Sequence, residues 1–383
     1  MPIRKPGAGP SSRIPRRKVL EAARRFYLHG ETQTAIAADL GVSNSYLARL
    51  LKDAREQGWV KIIVDSDRET ELAAALMAKY PHLVHCEVVP TGSTPEDTAR
   101  AIGTAMANWF DELLDRDEES ADPQVRKVAI GGAWPHQFMV DAVVRRRNRV
   151  SVGPTALTPS PARMDRYTAP VVAAKLADRL GALGAGSATP PGSSRTGFLY
   201  SPTFKPPRDS LPALQRFFED IKKDPDYRAM LDFWMDVDVA FLSVVAPQWR
   251  YSDVHDRLSA LGLSTQNLID RGATAVVANR FLDGNGRDVP LAEGVPSYEV
   301  AMPTEAIRAV MERHAASGGR RGFVVLDAWG EPGVGGRTLL QAGVVNILLC
   351  DASTGVQIAS PPRPEHVQAR PSPSTQSDLP RRP

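Results

Sequence analysis

Apolar residues recur along this chain with two different periods. Over residues 18–29, then at Ile36, Ala37 and Leu40, then at Leu47, Leu50 and Leu51, they fall three and four apart. That spacing lines one face of a helix and predicts three short helices in succession. A fourth amphipathic stretch covers residues 67–80, with Leu72, Ala75, Leu76 and Lys79 at helical spacing and Pro81 closing it. From residue 82 the pattern changes. Short apolar runs at 85–89, 125–130, 150–152, 237–245, 273–278, 299–302, 323–326 and 344–350 read as strands. Helical stretches at 95–114, 137–146, 169–180, 214–231 (broken at Pro225), 252–261 and 338–342 lie between them, and the acidic stretch 115–122 reads as a surface loop. The run 237–245, apolar but for Asp238 and Ser243, reads as a continuous strand of the kind buried on both faces. Such alternation predicts an α/β domain built on a Rossmann-like, largely parallel sheet.

The stretch from Glu31 to Lys61 reads as a helix-turn-helix. Thr32 is placed to cap the first helix and Ser43 the second. Gly41 supplies the tight turn between them, because a residue without Cβ tolerates positive φ. Leu47, Leu50 and Leu51 bury one side of the second helix and leave Asn44, Ser45, Tyr46 and Arg49 pointing outward, where a recognition helix offers its first turns to base edges. Thr32, Ser43, Asn44, Ser45, Tyr46, Arg49 and Lys52 form the expected DNA-facing set. Tyr46 is placed either to reach DNA or to pack against the first helix. The β-branched run 59–64 suits a wing, with Trp59 as its core anchor. A plain helical hairpin in a bundle needs the same turn, cap and leucine stripe, so neighbouring features decide between the two readings.

Charge favours nucleic acid. Residues 1–61 carry twelve Lys/Arg and five Asp/Glu, a net of +7, so the rest of a chain of formal charge +3 carries −4. A basic head on a nearly neutral body is the electrostatic footprint of a DNA-binding module. The expected organisation is a disordered basic arm at 1–15, a winged helix-turn-helix at 16–66, a linker helix at 67–81 that also serves as the first helix of the next domain, an α/β domain at 82–358 and a disordered Pro/Ser/Arg-rich tail at 359–383. No apolar run is long enough to span a bilayer, and the basic N-terminus lacks the apolar stretch of a signal peptide. Cys86 and Cys350 are the only cysteines, without zinc spacing, which suits a reducing cytoplasm and no metal. The Gly-Gly turns at 131 and 335 lack the Gly-Lys-Ser/Thr ending of a P-loop, and neither a catalytic constellation nor a cofactor motif is found.

Taken together, residues 18 to about 357 resemble the SorC family of bacterial transcriptional regulators. The resemblance is carried by TQTAIAADLGVSNSYLARLLKDAREQGWV at 32–60, by Gly131-Gly132-Ala133-Trp134 after a strand, by Arg271-Gly272-Ala273 through Gly286, and by Ala342 through Asp351. It implies a helix-turn-helix joined to an effector domain related to sugar-phosphate isomerases and deaminases. By the same resemblance, a sugar phosphate or related metabolite binds at the C-terminal ends of the strands, and subunits assemble as a dimer or tetramer on a double-stranded DNA operator. Gly131, Gly132, Trp134, His136, Gly153, Asp283 and Arg337 are the expected effector-binding residues. Three departures weigh against a phosphate cradle: Ser243-Val244-Val245-Ala246-Pro247 replaces a glycine-rich turn, Gly153-Pro154-Thr155 replaces a glycine pair, and 328–337 has Arg337 but no lysine. His136 and Arg337 each have a solvated side chain as the plain alternative, and Asp283 reads first as part of a β-turn. The expected function is a metabolite-controlled, sequence-specific transcriptional regulator. The alternatives are a regulator whose body serves only oligomerisation, or an isomerase-type enzyme with a DNA-binding appendage.

Overall fold

The computed structural model describes residues 16–27, 30–56, 60, 67–120, 122–123, 125–145, 150–156, 168–181, 210–247, 258–278, 280–295, 300–329 and 333–360. The chain forms two compact units, residues 1–66 and 67–383. Among the described residues the first holds three helices, α1 (Arg16–Tyr27), α2 (Gln33–Asp39) and α3 (Asn44–Glu56). Their core is Val19, Ala22 and Ala23 from α1, Ile36 and Ala37 from α2, and Leu47, Leu50, Leu51 and Ala54 from α3. Leu40 and Val60 are only partly buried and pack against this cluster. The rest of the expected wing at 59–64, and the arm at 1–15, lie outside the described residues.

The second unit opens with α4 (Asp67–Lys79), followed by β1 (His85–Val89), α5 (Pro95–Glu118), β2 (Lys127–Ile130), α6 (Trp134–Ala142), β3 (Ser151–Pro154) and α7 (Ala169–Arg179). Next come α8 (Leu211–Ile221), α9 (Pro225–Met235), β4 (Val239–Val245), α10 (Thr265–Asp270) and the hairpin β5 (Ala275–Val277) and β6 (Arg280–Leu282). It ends with α11 (Thr304–Ala316), β7 (Phe323–Ala328), α12 (Gly333–Gln341), β8 (Ile347–Asp351) and α13 (Ala352–Ala359). One sheet runs β1-β8-β7-β4-β2-β3 with every neighbour parallel, and the hairpin attaches antiparallel to β4 through β5. Successive residues of the central strands face opposite cores, as a period of two requires. Val239 and Phe241 of β4 and Val325 of β7 join the cluster of α5, α6 and α7; Ala240, Leu242 and Leu326 join that of the remaining helices and the hairpin. Phe241 meets Phe110 and Trp109 edge-on at 5.2 and 6.2 Å, the geometry that aromatic quadrupoles favour.

Several expected elements differ in detail. Helix α5 continues through Glu118, so only the end of the acidic stretch at 115–122 is loop. Pro225 does not kink one helix but starts a second: Asp224 caps α9 by accepting from the N–H groups of Asp226 and Tyr227, and Pro225 takes the first position, where its missing N–H costs nothing. The expected strand at 299–302 is reduced, among the described residues, to one isolated bridge between Ala301 and Ala156. Helix α6 runs over Trp134–Ala142 rather than 137–146, ending where Val143 turns to an extended ψ of 134°. Helix α12 begins at Gly333, five residues before the expected 338. Of the helix expected at 252–261, only the last residues are described. Helices α10, α11 and α13 and strand β6 are additions to the expected set. Residues 359 and 360 belong to the end of α13 rather than to a tail, and residues 361–383 lie outside the described residues.

Helix α13 is held at both ends. The Asp351 carboxylate caps its N-terminus by accepting from the Ser353 and Thr354 N–H groups. At its C-terminus Lys79 donates to the Ile358 and Ala359 carbonyls and Arg337 to the Gln357 carbonyl. Cations at this end satisfy unpaired carbonyls and oppose the helix dipole.

Candidate nucleic-acid interface and effector site

In the three-helix unit both expected caps are formed. Thr32 Oγ1 accepts from the Ala35 N–H at 3.2 Å and Ser43 Oγ from the Tyr46 N–H at 3.1 Å. Gly41 lies at φ +63°, the left-handed turn that takes the chain from α2 into α3. Leu47, Leu50 and Leu51 are buried, which turns the opposite face of α3 to solvent: Ser43, Asn44, Ser45, Arg49 and Lys52 are exposed. Tyr46 does not stand free. Its ring is half-buried against the core, and the Arg49 guanidinium sits 4.9 Å from its centroid.

Arg25 holds the supporting helices together. Its Nε and Nη2 donate to the two oxygens of Glu31 at 2.9 and 2.6 Å, and Nη1 reaches Asp39. The hydrogen bond to Glu31, then that to Asp39, raises the pKa of this guanidinium above its ordinary value. Its charge is therefore engaged within the unit, whereas Arg49 projects from the outer face of α3.

In the α/β unit, sheet order picks out one crevice. After β2 the chain moves outward to β3; after β4 it moves the other way to β7. Adjacent strands whose connections diverge open a crevice at their C-terminal ends, where ligands of open α/β sheets bind. Gly131 follows β2 directly, Thr155 follows β3, Ser243 lies near the end of β4 and Asp327 near the end of β7. His136, in the first turn of α6, is fully buried among them. Its Nε2 lies 2.9 Å from Asp327 Oδ1, a close contact off hydrogen-bond alignment, while Ser243 Oγ donates to Asp327 Oδ2 at 2.6 Å. A Cβ added at Gly131 would come within 2.7 Å of His136 Cε1 and 3.4 Å of Thr155 Oγ1. Gly131 thus makes room for the imidazole. At the rim Trp134 is exposed and stacks on Trp329 with centroids 6.2 Å apart and planes 21° from parallel. Gly132 is exposed beside it, and Ala133, the N-cap of α6, offers no side-chain cap to the first-turn N–H groups.

The structure brings Gly131, Gly132, Trp134 and His136 to this crevice. His136 is not the solvated side chain that its sequence context also allows. Gly153 lies at the end of β3 with the Phe233 ring filling the space of its absent side chain, 2.6 Å from where a Cβ would be. Asp283 and Arg337 are engaged elsewhere. Asp283 Oδ1 accepts from the Asn285 and Arg287 N–H groups within its own turn, and Arg337 caps α13. Gly335 and Gly336 are buried in α12, where added Cβ atoms would meet Val244 and Ile358 at 2.9 Å; they are packing glycines rather than a loop. Asp327, Ser243 and Thr155 were not foreseen as site residues. The order of Ser243, Asp327 and His136 matters chemically. The carboxylate lies between hydroxyl and imidazole, so the Ser243 proton goes to Asp327 and not to His136, unlike a nucleophile activated by a base. The sequence signal for this acid–imidazole pair is faint, because its members come from distant segments. Among the described residues no group of three or more His, Cys, Asp or Glu is placed to hold a metal ion.

No protein-family model matches the chain. An uncharacterised transcriptional regulator of Escherichia coli K12, YjhU, is 23% identical over 316 residues, covering 80% of this chain and 86% of its own. The crystal structure of the full-length sorbitol operon regulator SorC from Klebsiella pneumoniae superposes with a TM-score of 0.61 at 19% identity, covering 90% of this chain and 98% of that one. A probable sor operon regulator from Shigella flexneri gives 0.56 at 16% identity, covering 77% and 100%. This chain therefore has the fold of the sorbitol operon regulator SorC.

Proposed function

We propose that this chain is a transcriptional regulator of the SorC family, binding a double-stranded DNA operator by sequence under the control of a small carbohydrate-like metabolite. The observation that carries the reading is the outer face of α3: Asn44, Ser45 and Arg49 are exposed on a helix that both its cap and its leucine face hold in place. The basic balance of residues 1–61 and the likeness to regulators over most of the chain support it. The metabolite site is the crevice at the ends of β2, β4 and β7, bordered by Gly131, Gly132, Trp134 and His136. The active form is a homo-oligomer in the cytoplasm, in which effector binding changes the spacing of recognition helices that must match half-sites about 34 Å apart per turn of DNA. The chain is a regulator rather than an enzyme.

Selection from a randomised duplex library, with fluorescence anisotropy at several salt concentrations, tests this function. The expected outcome is a roughly palindromic motif whose affinity falls steeply with salt. Arg49→Ala weakens binding and relaxes base preference at one position per half-site by about 1–3 kcal/mol. Equal affinity for every duplex refutes specific recognition. The His136–Asp327 contact favours an isomerase-type enzyme; turnover of an aldose phosphate by the purified protein would support that reading.

A further inference from the structure

Arg49 carries a long side chain on the outer face of α3, and fixing such a side chain sacrifices more rotamer freedom than fixing most others. Its guanidinium already has a platform. The Tyr46 ring lies one turn earlier on the same helix face, 4.9 Å from ring centroid to Arg49 Cζ. That ring is itself held: the Tyr46 N–H donates to Ser43 Oγ at 3.1 Å, and the half-buried ring packs on the cluster of Leu47 and Leu50. A guanidinium over an aromatic face is attracted by the ring's quadrupole, and the contact uses its flat face while leaving the N–H fork at its edge. A bidentate contact to guanine O6 and N7 needs that edge, presented in one orientation.

We infer that Tyr46 is a positioning residue for base reading: its ring holds the Arg49 fork in the orientation that selects guanine in the operator half-site, without itself reading a base. The inference rests on the DNA-binding function proposed above. It separates two roles that a recognition helix otherwise merges, since Asn44 and Ser45 meet DNA directly whereas Tyr46 acts through Arg49.

The full-length protein and its Y46F, Y46L, R49A and Y46L/R49A variants are compared. Wild type first selects a motif from a randomised duplex library, and R49A identifies the guanine that Arg49 reads. Anisotropy is then measured on that duplex and on one with the guanine replaced. Y46F, which keeps the ring, retains wild-type discrimination. Y46L lowers affinity for the guanine duplex by about two- to five-fold, the worth of an exposed cation–π contact, and leaves the substituted duplex unchanged. Y46L/R49A is no worse than R49A. Should Y46L fail to fold, Y46M, whose flexible side chain fills the same packing without a ring, takes its place. Equal weakening on both duplexes, or full discrimination without the ring, overturns the inference and leaves DNA recognition standing. A wild-type protein that selects no motif overturns both.

Discussion

Replacing Gly131 by alanine tests whether the crevice is built around the imidazole of His136. The new Cβ would lie 2.7 Å from His136 Cε1 and 2.9 Å from Nδ1, against about 3.5–4.0 Å for an unstrained contact. The ring is fully buried, with Nε2 2.9 Å from Asp327 blocking retreat on that side. Overpacking of this kind costs about 1–3 kcal/mol. At about 2–4 °C per kcal/mol for a domain of this size, the midpoint of the α/β unit falls by about 2–12 °C. Urea denaturation monitored by tryptophan emission reads the loss, since Trp109, Trp134, Trp234 and Trp329 all lie in that unit. Gly284 is the control: nothing lies within 4 Å of its would-be Cβ, and G284A is expected within about 0.5 kcal/mol of wild type. The decisive measurement is a double-mutant cycle with H136N. The shorter side chain removes Cε1, the atom that the new Cβ approaches most closely, so G131A should cost at least about 1 kcal/mol less in that background. A neutral G131A, or the same loss in both backgrounds, refutes the packing role.

Burial and capping set three further outcomes. Leu50→Ala removes a fully buried side chain from the small three-helix core, at about 2–5 kcal/mol; calorimetry should show the first unit melting early, and the operator binding proposed above should be lost with it. Burial, and after it the charge of Glu87, pushes the Cys86 thiol up to about 12. The native protein should therefore react with a thiol reagent far more slowly than the urea-unfolded chain at pH 8. An unfolded thiol ionises near its ordinary value of 9.0 while the folded one does not until about 12, so stability intact below pH 9 is lost progressively as pH rises toward 12. Arg337→Ala withdraws a donor from the C-terminal carbonyl of α13; hydrogen exchange should speed up in that helix by about two- to five-fold, consistent with about 0.5–1 kcal/mol for such a cation.

The helix-turn-helix was legible because local chemistry specifies it. Thr32, Gly41 and Ser43 each have one conformational use, and the leucine spacing fixes which face of α3 is buried. The central strands were legible because runs such as 239–245 are, but for Ser243, apolar on both faces. Helix α11 was missed because only Ala306, Ile307 and Val310 are buried and its N-cap, Pro303, supplies no side-chain hydrogen bond. Helix α13 was missed because Asp351, its cap, also closes β8 and reads as the end of a strand. The crevice was half legible. Gly131 and Trp134 mark a strand-to-helix turn, but Ser243 and Asp327 look like ordinary interruptions of apolar strands until sheet order places them near His136. Arg337 and Asp283 look available by sequence; only the fold shows which carbonyl and which amides they already serve.

The position of β8 sets a timetable for synthesis. Among the described residues its only neighbours are β7 and β1, and β1 has no other partner in the sheet. A ribosome delivers β1 long before β8, so through that interval β1 and the helix before it lack the strand they pair with. The three-helix unit needs no such late arrival. A nascent chain should thus emerge with a finished three-helix unit and an open-edged body, vulnerable to strand capture until residues 347–351 slot in and close the gap.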